Sequence, residues 1–296
     1  MENYTLHQRG EVKWLTFPQL DRYPELTHLF TTRHGGVSTG PRESWNFGKG
    51  PDESWENISE NYRILAKIMA PEQDPESGIN RMVRTDQTHS ANVLKVTEEH
   101  LGMGIMRERT YTDIDGLVTN RPGITLITSH GDCNALFFYD PKNKAIGLAH
   151  SGWRGTLWEI GAEVVRMMHA EYGCKPEDII VGIGPALCQE CFEVDEDVAR
   201  MFYEKHPKSL ETAWHKTVKP DPIGPDRSRR TIEKHYIDLK GVVRDILLGV
   251  GVQPQNIYDM ELCTKCRPDL FYSYRGQKGR NGNMVAAMRL KPEGAK

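Results

Sequence analysis

Three observations predict a mixed α/β or α+β fold, read as a single domain over residues 1–296. Four segments carry apolar residues at helical spacing, short apolar runs between them read as strands, and no internal repeat or Gly/Ser linker divides the chain. A chain of this length buries a sizeable core.

The elements follow in order. A strand is predicted over 26–32. In ENISENYRILAKIMA, Ile58, Tyr62, Leu65, Ile68 and Met69 recur at steps of three and four, as one buried helix face requires. The polar, Pro-bearing APEQDPESGIN (70–80) predicts a surface loop. Strands are predicted over 91–97, 115–119, 124–129, 133–139 and 145–150. Leu157, Ile160, Val164, Val165 and Met168 then repeat the helical spacing after GWRG. A strand over 178–183 and a helix over 195–205 come next, before a second polar loop, KTVKPDPIGPDRSRRT (216–231). The last helix, 237–250, finishes at a glycine cap, Gly251, and strands over 257–260 and 284–290 complete the chain.

Composition narrows the function classes. The chain is 38% hydrophobic and 27% charged, and no apolar run approaches the roughly 20 residues needed to span a bilayer. The start, MENYTLHQRGEVKWLTF, has no basic and apolar leader pattern, so cytoplasmic residence is expected. A net charge of −3 argues against a nucleic-acid binder and leaves a small-molecule partner. In a reducing compartment the six cysteines are expected as thiols, ligands or nucleophiles.

The segment ITSHGDCNALFFYDPKNKAIGLAHSGWR (127–154) predicts a hairpin, because DPKN has the chemistry of a tight reversal. With those four residues as the loop, Tyr139 faces Lys144, Phe137 faces Ile146, Ala135 faces Leu148 and Cys133 faces His150. Directly opposed side chains share a face with Cβ atoms about 4.5 to 5.5 Å apart, which suits two ligands of one metal ion or a thiolate and its base. The inference rests on register, since a one-residue shift sends the pair to opposite faces. Two packed core residues remain the alternative.

Further polar clusters lie after this hairpin and, more distantly, before it. SGWRGT joins the second strand to a helix starting near Thr156, where free N–H groups and Arg154 form a candidate anion site; a surface ion pair at a simple turn is the alternative. RTDQTHSANV (84–93) supplies Asp86, Gln87 and His89, with His89 a candidate third ligand. The glycine-rich TTRHGGVSTGPRESWNFG (31–48) carries Arg33, His34 and Asn46.

These motifs, taken in order, resemble the YfiH/YlmD family, the polyphenol oxidase laccase-domain proteins. The similarity runs through TTRHGGVSTG, SWNFG, DQTHSANV, DIDGLVTN, GDCNALFFYDP, GLAHSGWRGT, GIGPALCQECFEV and CTKCRPDLFYSYRG. It implies a layered α/β sandwich with mixed sheets, similar to bacterial cytotoxic necrotizing factor deamidases. It also implies purine nucleoside phosphorylase activity on adenosine, inosine or methylthioadenosine, with adenosine deaminase activity. The family's zinc ligands, which are also its catalytic residues, fall on His89, Cys133 and His150. Arg33, Asn46, Gln87, Arg154 and Arg275 match its substrate pocket. The implied partners are purine nucleosides and phosphate, in a monomer or homodimer. The chain departs from the family pattern at His130 and Gly131 and at Asn283, where many members have arginine. Asp132, beside the ligand cysteine, is considered for proton transfer, although alternation would point it to the other face.

Two other readings stand beside this one. A copper-dependent phenol oxidase would use the same imidazole and thiolate ligands, but a multicopper enzyme needs many more clustered histidines. A binding module could instead rest on structural zinc held by Cys188, Cys191, Cys263 and Cys266. The separation of 72 positions between the two Cys-x-x-Cys pairs exceeds a compact zinc ribbon.

Overall fold

The computed structural model describes residues 3–220 and 231–294. Numbered in chain order, the strands form three sheets. The first has the order β1 (Thr5–Arg9), β2 (Val12–Thr16), β3 (Leu26–Thr31), β15 (Met284–Leu290), β7 (Thr125–His130) and β4 (Met82–Arg84). Only its β7–β4 pair is parallel. The second has the order β14 (Ile257–Asp259), β10 (Ile180–Ile183), β8 (Asn134–Asp140), β9 (Ala145–Ser151), β6 (Gly116–Thr119) and β5 (Val93–Lys95). Its centre is antiparallel and its two edge pairs are parallel. The third joins β11 (Glu193–Val194), β13 (Thr231–Ile237) and β12 (Trp214–Pro220). The helices are α1 (Trp55–Met69), α2 (Pro75–Asn80), α3 (Trp153–Leu157), α4 (Ile160–Tyr172), α5 (Glu196–Lys205), α6 (Pro207–Leu210) and α7 (Leu239–Gly249). The fold is mixed α/β with mixed sheets, as the spacing predicts.

Strand alternation builds the layers. In β8, Ala135, Phe137 and Tyr139 join Met284, Ala286 and Met288 of β15 in one core between the two large sheets. Leu136 and Phe138 point the other way, onto Ile160, Val164 and Met168 of α4 and Leu247 of α7. Val285 and Ala287 of β15 meet Ile58, Tyr62 and Leu65 of α1 on the outer face of the first sheet. Strands covered on both faces read as continuous apolar runs, which is why ALFFY shows no polar alternation. Each fully buried Phe or Leu contributes roughly 1.5–3 kcal/mol.

Several expectations are corrected. The loop expected over 70–80 contains α2, because Asp74 accepts the Ser77 N–H at 3.0 Å and Pro75 starts the helix. The loop expected from 216 includes most of β12, and residues 221–230 lie outside the described residues. The expected helix after GWRG is two helices, broken where Glu159 takes a left-handed φ of 64°. Gly251 does terminate the last helix, with a φ of 103° and its N–H donated to Leu248 O at 3.1 Å. Strands β1 and β2 carry polar residues on a half-exposed edge, and their weak apolar pattern concealed them.

The hairpin register is also corrected. Asp140 accepts the N–H groups of Lys142 and Asn143 at 2.8 and 3.1 Å, so it closes the strand and leaves PKNK as the loop, with Lys144 at a φ of 47°. Tyr139 therefore pairs with Ile146, Phe137 with Leu148 and Ala135 with His150. Relative to the predicted pairing this is a slip of two residues. The side-chain period is also two, so the shift preserves the face. Cys133, just before β8, lies diagonal to His150 on the inter-sheet side.

Candidate metal centre and cleft

The end of β7, the start of β8 and the end of β9 meet at one edge of the inter-sheet core. There the ligand atoms of His89, Cys133 and His150 lie within 4.8 Å of one another. Cys133 Sγ is 3.8 Å from His89 Nε2, and the rings of His89 and His150 stand 4.9 Å apart, edge to face. His89 comes from the loop before β5 and takes a left-handed φ of 69°, a backbone state that its surroundings have to stabilise.

The stabilising group is Asp115, which has no solvent exposure. Its carboxylate accepts the N–H groups of Thr88, His89 and Ser90 at 3.0, 3.2 and 2.8 Å, together with the Ser90 hydroxyl at 3.0 Å. It also accepts His150 Nδ1–H at 2.7 Å. One carboxylate thus shapes the His89 loop and leaves His150 Nε2 free toward the cluster, the outer-shell arrangement that orients metal-bound histidines. Burial pushes the Asp115 carboxyl up, but the bond from His150 and those from the loop outweigh it and hold the group below its ordinary value.

Cys133 and His150 reinforce each other's charge. Burial raises the thiol, yet the His150 charge and the hydrogen bonds from both histidines bring it down to about 6. Burial lowers His150, while Cys133 and Asp115 raise it to about 9. His130 is fully engaged: its Nδ1–H donates to Cys133 O at 3.2 Å and Nε2 accepts from Thr128 Oγ1 at 2.8 Å. Burial keeps its pKa well below the ordinary histidine value, so it supports the Cys133 backbone as a neutral ring.

The cluster meets a cleft of about 290 Å³ through Cys133, which lines it together with Trp153, Leu187, Phe192, Tyr274 and Arg275 among others; His89 and His150 lie behind Cys133, outside this lining. A larger hollow of about 770 Å³, bordered by Arg166, Lys205 and Asp245, contains neither the cluster nor any of these residues. Size therefore does not select the site, and chemistry does. Asp132 borders the cleft, but its two oxygens accept Thr264 Oγ1–H and the Arg275 N–H, each at 2.7 Å. Through these bonds it fastens the Thr264 and Arg275 loops to the strand start that carries Cys133.

The other substrate candidates are distributed unevenly. Arg275 lines the cleft and donates to Glu193 O at 3.0 Å. Arg154 is exposed and lies over the Trp153 ring at 4.3 Å. Its helix is a single turn starting at Trp153, too short to carry the expected anion-binding dipole. Arg33 sits over Tyr272 at 4.8 Å and donates to Pro268 O, outside the cleft lining. Asn46 is fully buried and bonded to Gly48, Glu53 and the Asn283 N–H. Gln87 bonds the backbone of Ser129 through both ends of its amide. Asn46 thus spends its hydrogen-bonding capacity on loop structure, and Gln87 ties its own loop to β7. Asn283 borders the cleft.

Sequence reasoning gave no role to Asp115, Phe192 or Tyr274. Asp115 had a signal in IDG, an acidic residue opening an apolar strand. The two aromatics had none apart from their motifs.

The two Cys-x-x-Cys pairs also converge, with all four sulfurs within 4.8 Å of one another. The separation of 72 residues is closed by the fold, so it does not count against a four-thiol site. No helix among the described residues is long and apolar enough to cross a membrane.

Comparison with known proteins agrees with this architecture. Residues 27–291 match the family described as multi-copper polyphenol oxidoreductase laccase. The purine nucleoside phosphorylase YlmD of Bacillus subtilis is 33% identical over 271 residues, covering 90% of this chain and 89% of its own. The mouse purine nucleoside phosphorylase LACC1 is 30% identical over 90% of this chain and 55% of its own. The crystal structure of the Bacillus licheniformis hypothetical protein YfiH superposes with a TM-score of 0.83 at 30% identity, covering 97% of this chain and 99% of that one. The chain belongs to the laccase-domain family that includes YlmD and YfiH.

Proposed function

We propose that the protein is a zinc-dependent purine nucleoside phosphorylase with adenosine deaminase activity. The observation that carries this reading is the convergence of two imidazoles on a thiol, Cys133, that itself borders a cleft with aromatic walls and an arginine. Relatives named purine nucleoside phosphorylase, aligned over most of the chain, support it.

His89, Cys133 and His150 would hold the ion, a donor set that suits zinc with a coordination position left for another ligand. A bound zinc would supply Lewis acidity at the cleft floor. Trp153, Phe192 and Tyr274 would receive the purine face, since aromatic stacking orients a flat base. Arg275 and Arg154 would hold phosphate by charge-assisted bonds. In phosphorolysis a phosphate oxygen bonds to C1′ of the ribose as the glycosidic bond breaks. The electron pair leaves with the base, which takes up a proton, giving free base and ribose 1-phosphate. Adenosine, inosine and methylthioadenosine are the proposed substrates. In deamination a water oxygen would instead bond to C6 of adenosine as the C6–N bond breaks, the amino group taking up a proton and leaving as ammonia to give inosine.

The family description favours a second reading, copper-dependent phenol oxidation. Two imidazoles and a thiolate also suit copper. Among the described residues, however, the only other cluster with metal-binding geometry is all thiol, and no histidine-rich second centre accompanies the first. We therefore rank it below phosphorolysis.

The test incubates purified protein with adenosine, with and without phosphate, and measures adenine and ribose 1-phosphate. Phosphate-dependent release, abolished in Cys133→Ala, is expected. Phenol oxidation by copper-loaded protein with no phosphorolysis by the zinc form would overturn the reading.

A further inference from the structure

Four cysteines from distant segments meet outside the cleft. The sulfurs of Cys188, Cys191, Cys263 and Cys266 lie within 4.8 Å of one another, and those of Cys191 and Cys266 are 3.5 Å apart. Four thiolates at about 2.3 Å from a tetrahedral zinc stand about 3.8 Å apart, so this spacing is that of a metal cage. A disulfide would need an S–S distance of about 2.05 Å.

Backbone pairing sets the convergence. Ala186 N–H donates to Leu262 O at 3.2 Å and Thr264 N–H donates to Ala186 O at 3.1 Å, which brings the two segments together in parallel. Each Cys-x-x-Cys then lies on a tight turn, closed by Cys191 N–H to Cys188 O at 3.0 Å and by Arg267 N–H to Cys263 O at 3.1 Å. The Cys188 N–H also points at Cys263 Sγ, 3.4 Å away, the kind of outer-shell bond that orients a thiolate ligand.

We propose that these four cysteines hold one structural zinc ion, distinct from the cluster in the cleft, which pins the 186–192 loop to the 262–267 loop. With four protein ligands the site is closed, as in structural rather than catalytic zinc centres. Binding exchanges thiol protons for the ion. The position gives the clip a purpose. Leu187 and Phe192 on the first loop line the cleft, and Thr264 on the second donates to Asp132, next to Cys133. The ion therefore fixes one wall of the cleft without touching what binds there.

The test measures zinc per chain in the full-length protein, purified under reductant, together with zinc-edge X-ray absorption. Cys133→Ala removes the only thiol of the cleft cluster. This variant is expected to retain one zinc with an all-sulfur shell at about 2.3 Å. The double variant Cys188→Ser, Cys266→Ser is expected to lose one zinc per chain relative to the parent. If that variant does not fold, the Cys133→Ala spectrum decides alone. No zinc in Cys133→Ala after zinc titration, a shell containing nitrogen or oxygen, or unchanged zinc content in the double variant would each overturn the proposal. So would a Cys191–Cys266 disulfide found by mass analysis of protein purified under reductant.

Discussion

His150 donates its Nδ1 proton to Asp115 at 2.7 Å, and the same buried carboxylate accepts three consecutive backbone N–H groups of the loop that carries His89. Two of the three candidate ligands are thus positioned by one side chain that is not itself a ligand.

Asp115→Asn keeps the shape but replaces one acceptor oxygen with an NH2 group that can only donate. Zinc affinity at the cleft cluster is expected to fall by roughly 10- to 100-fold. Stability is expected to fall by about 1–3 kcal/mol, because N–H groups of the loop lose their acceptor. Competition with a chromogenic chelator and urea unfolding measure the two effects, and affinity within twofold of the parent would refute the coupling.

Gly152→Ala tests the closeness of the chain to the cluster. A Cβ there would stand 2.4 Å from His89 Cδ2 and 3.2 Å from Cys133 Sγ, while the backbone at φ −70° accepts alanine without strain. The clash can be relieved only by displacing ligands. Loss of cleft zinc and at least a tenfold fall in phosphorolysis are expected, with a stability cost of about 1–3 kcal/mol. Normal zinc content in the folded variant would contradict the geometry.

Arg275→Ala tests the phosphate subsite. A charged hydrogen bond contributes about 1.5–3 kcal/mol, so KM for phosphate should rise roughly 10- to 100-fold. Arg275 is exposed, and its removal should leave Tm nearly unchanged. A fall in kcat with unchanged KM would move Arg275 out of ground-state phosphate binding.

His28 sets an acid limit. Its Nε2 accepts the Phe17 N–H at 2.8 Å, and burial drives its pKa down from 6.5 to about 3. Asp21, 3.9 Å from Nδ1, is too far to offset burial and is itself pushed up by it. A base lowered on folding leaves stability full above pH 6.5. Stability is then lost as pH falls toward 3, at about 1.4 kcal/mol per pH unit. His28→Gln keeps an acceptor for Phe17 and cannot titrate, so its unfolding free energy should fall less steeply between pH 6.5 and 4. An unchanged slope would assign the acid loss to other groups.

How much of this was legible varies with the range of the interaction. The helix at Trp55–Met69 and the central strands were readable because periodicity is local and strong. The PKNK turn was misplaced by one residue on each side, since Asp140 caps the reversal from the strand rather than from within the loop. The face of Cys133 and His150 survived because the resulting error was even.

The sequence by itself determined which residue types were available and on which faces of their elements they stood: a thiol and an imidazole sharing one side of a hairpin, a histidine before an edge strand, and two Cys-x-x-Cys turns. Only the tertiary structure decided what these met. Pairing of β5 with β6 brings the His89 loop onto Asp115, and the bridge between Ala186 and Cys263 closes a four-thiol cage across 72 residues. It also turned Asn46, Gln87 and Asp132 into braces for loops. The reason is physical. Facing follows from a two-residue period carried by the local backbone, whereas the partner of a buried polar group is whichever distant segment packing delivers to it.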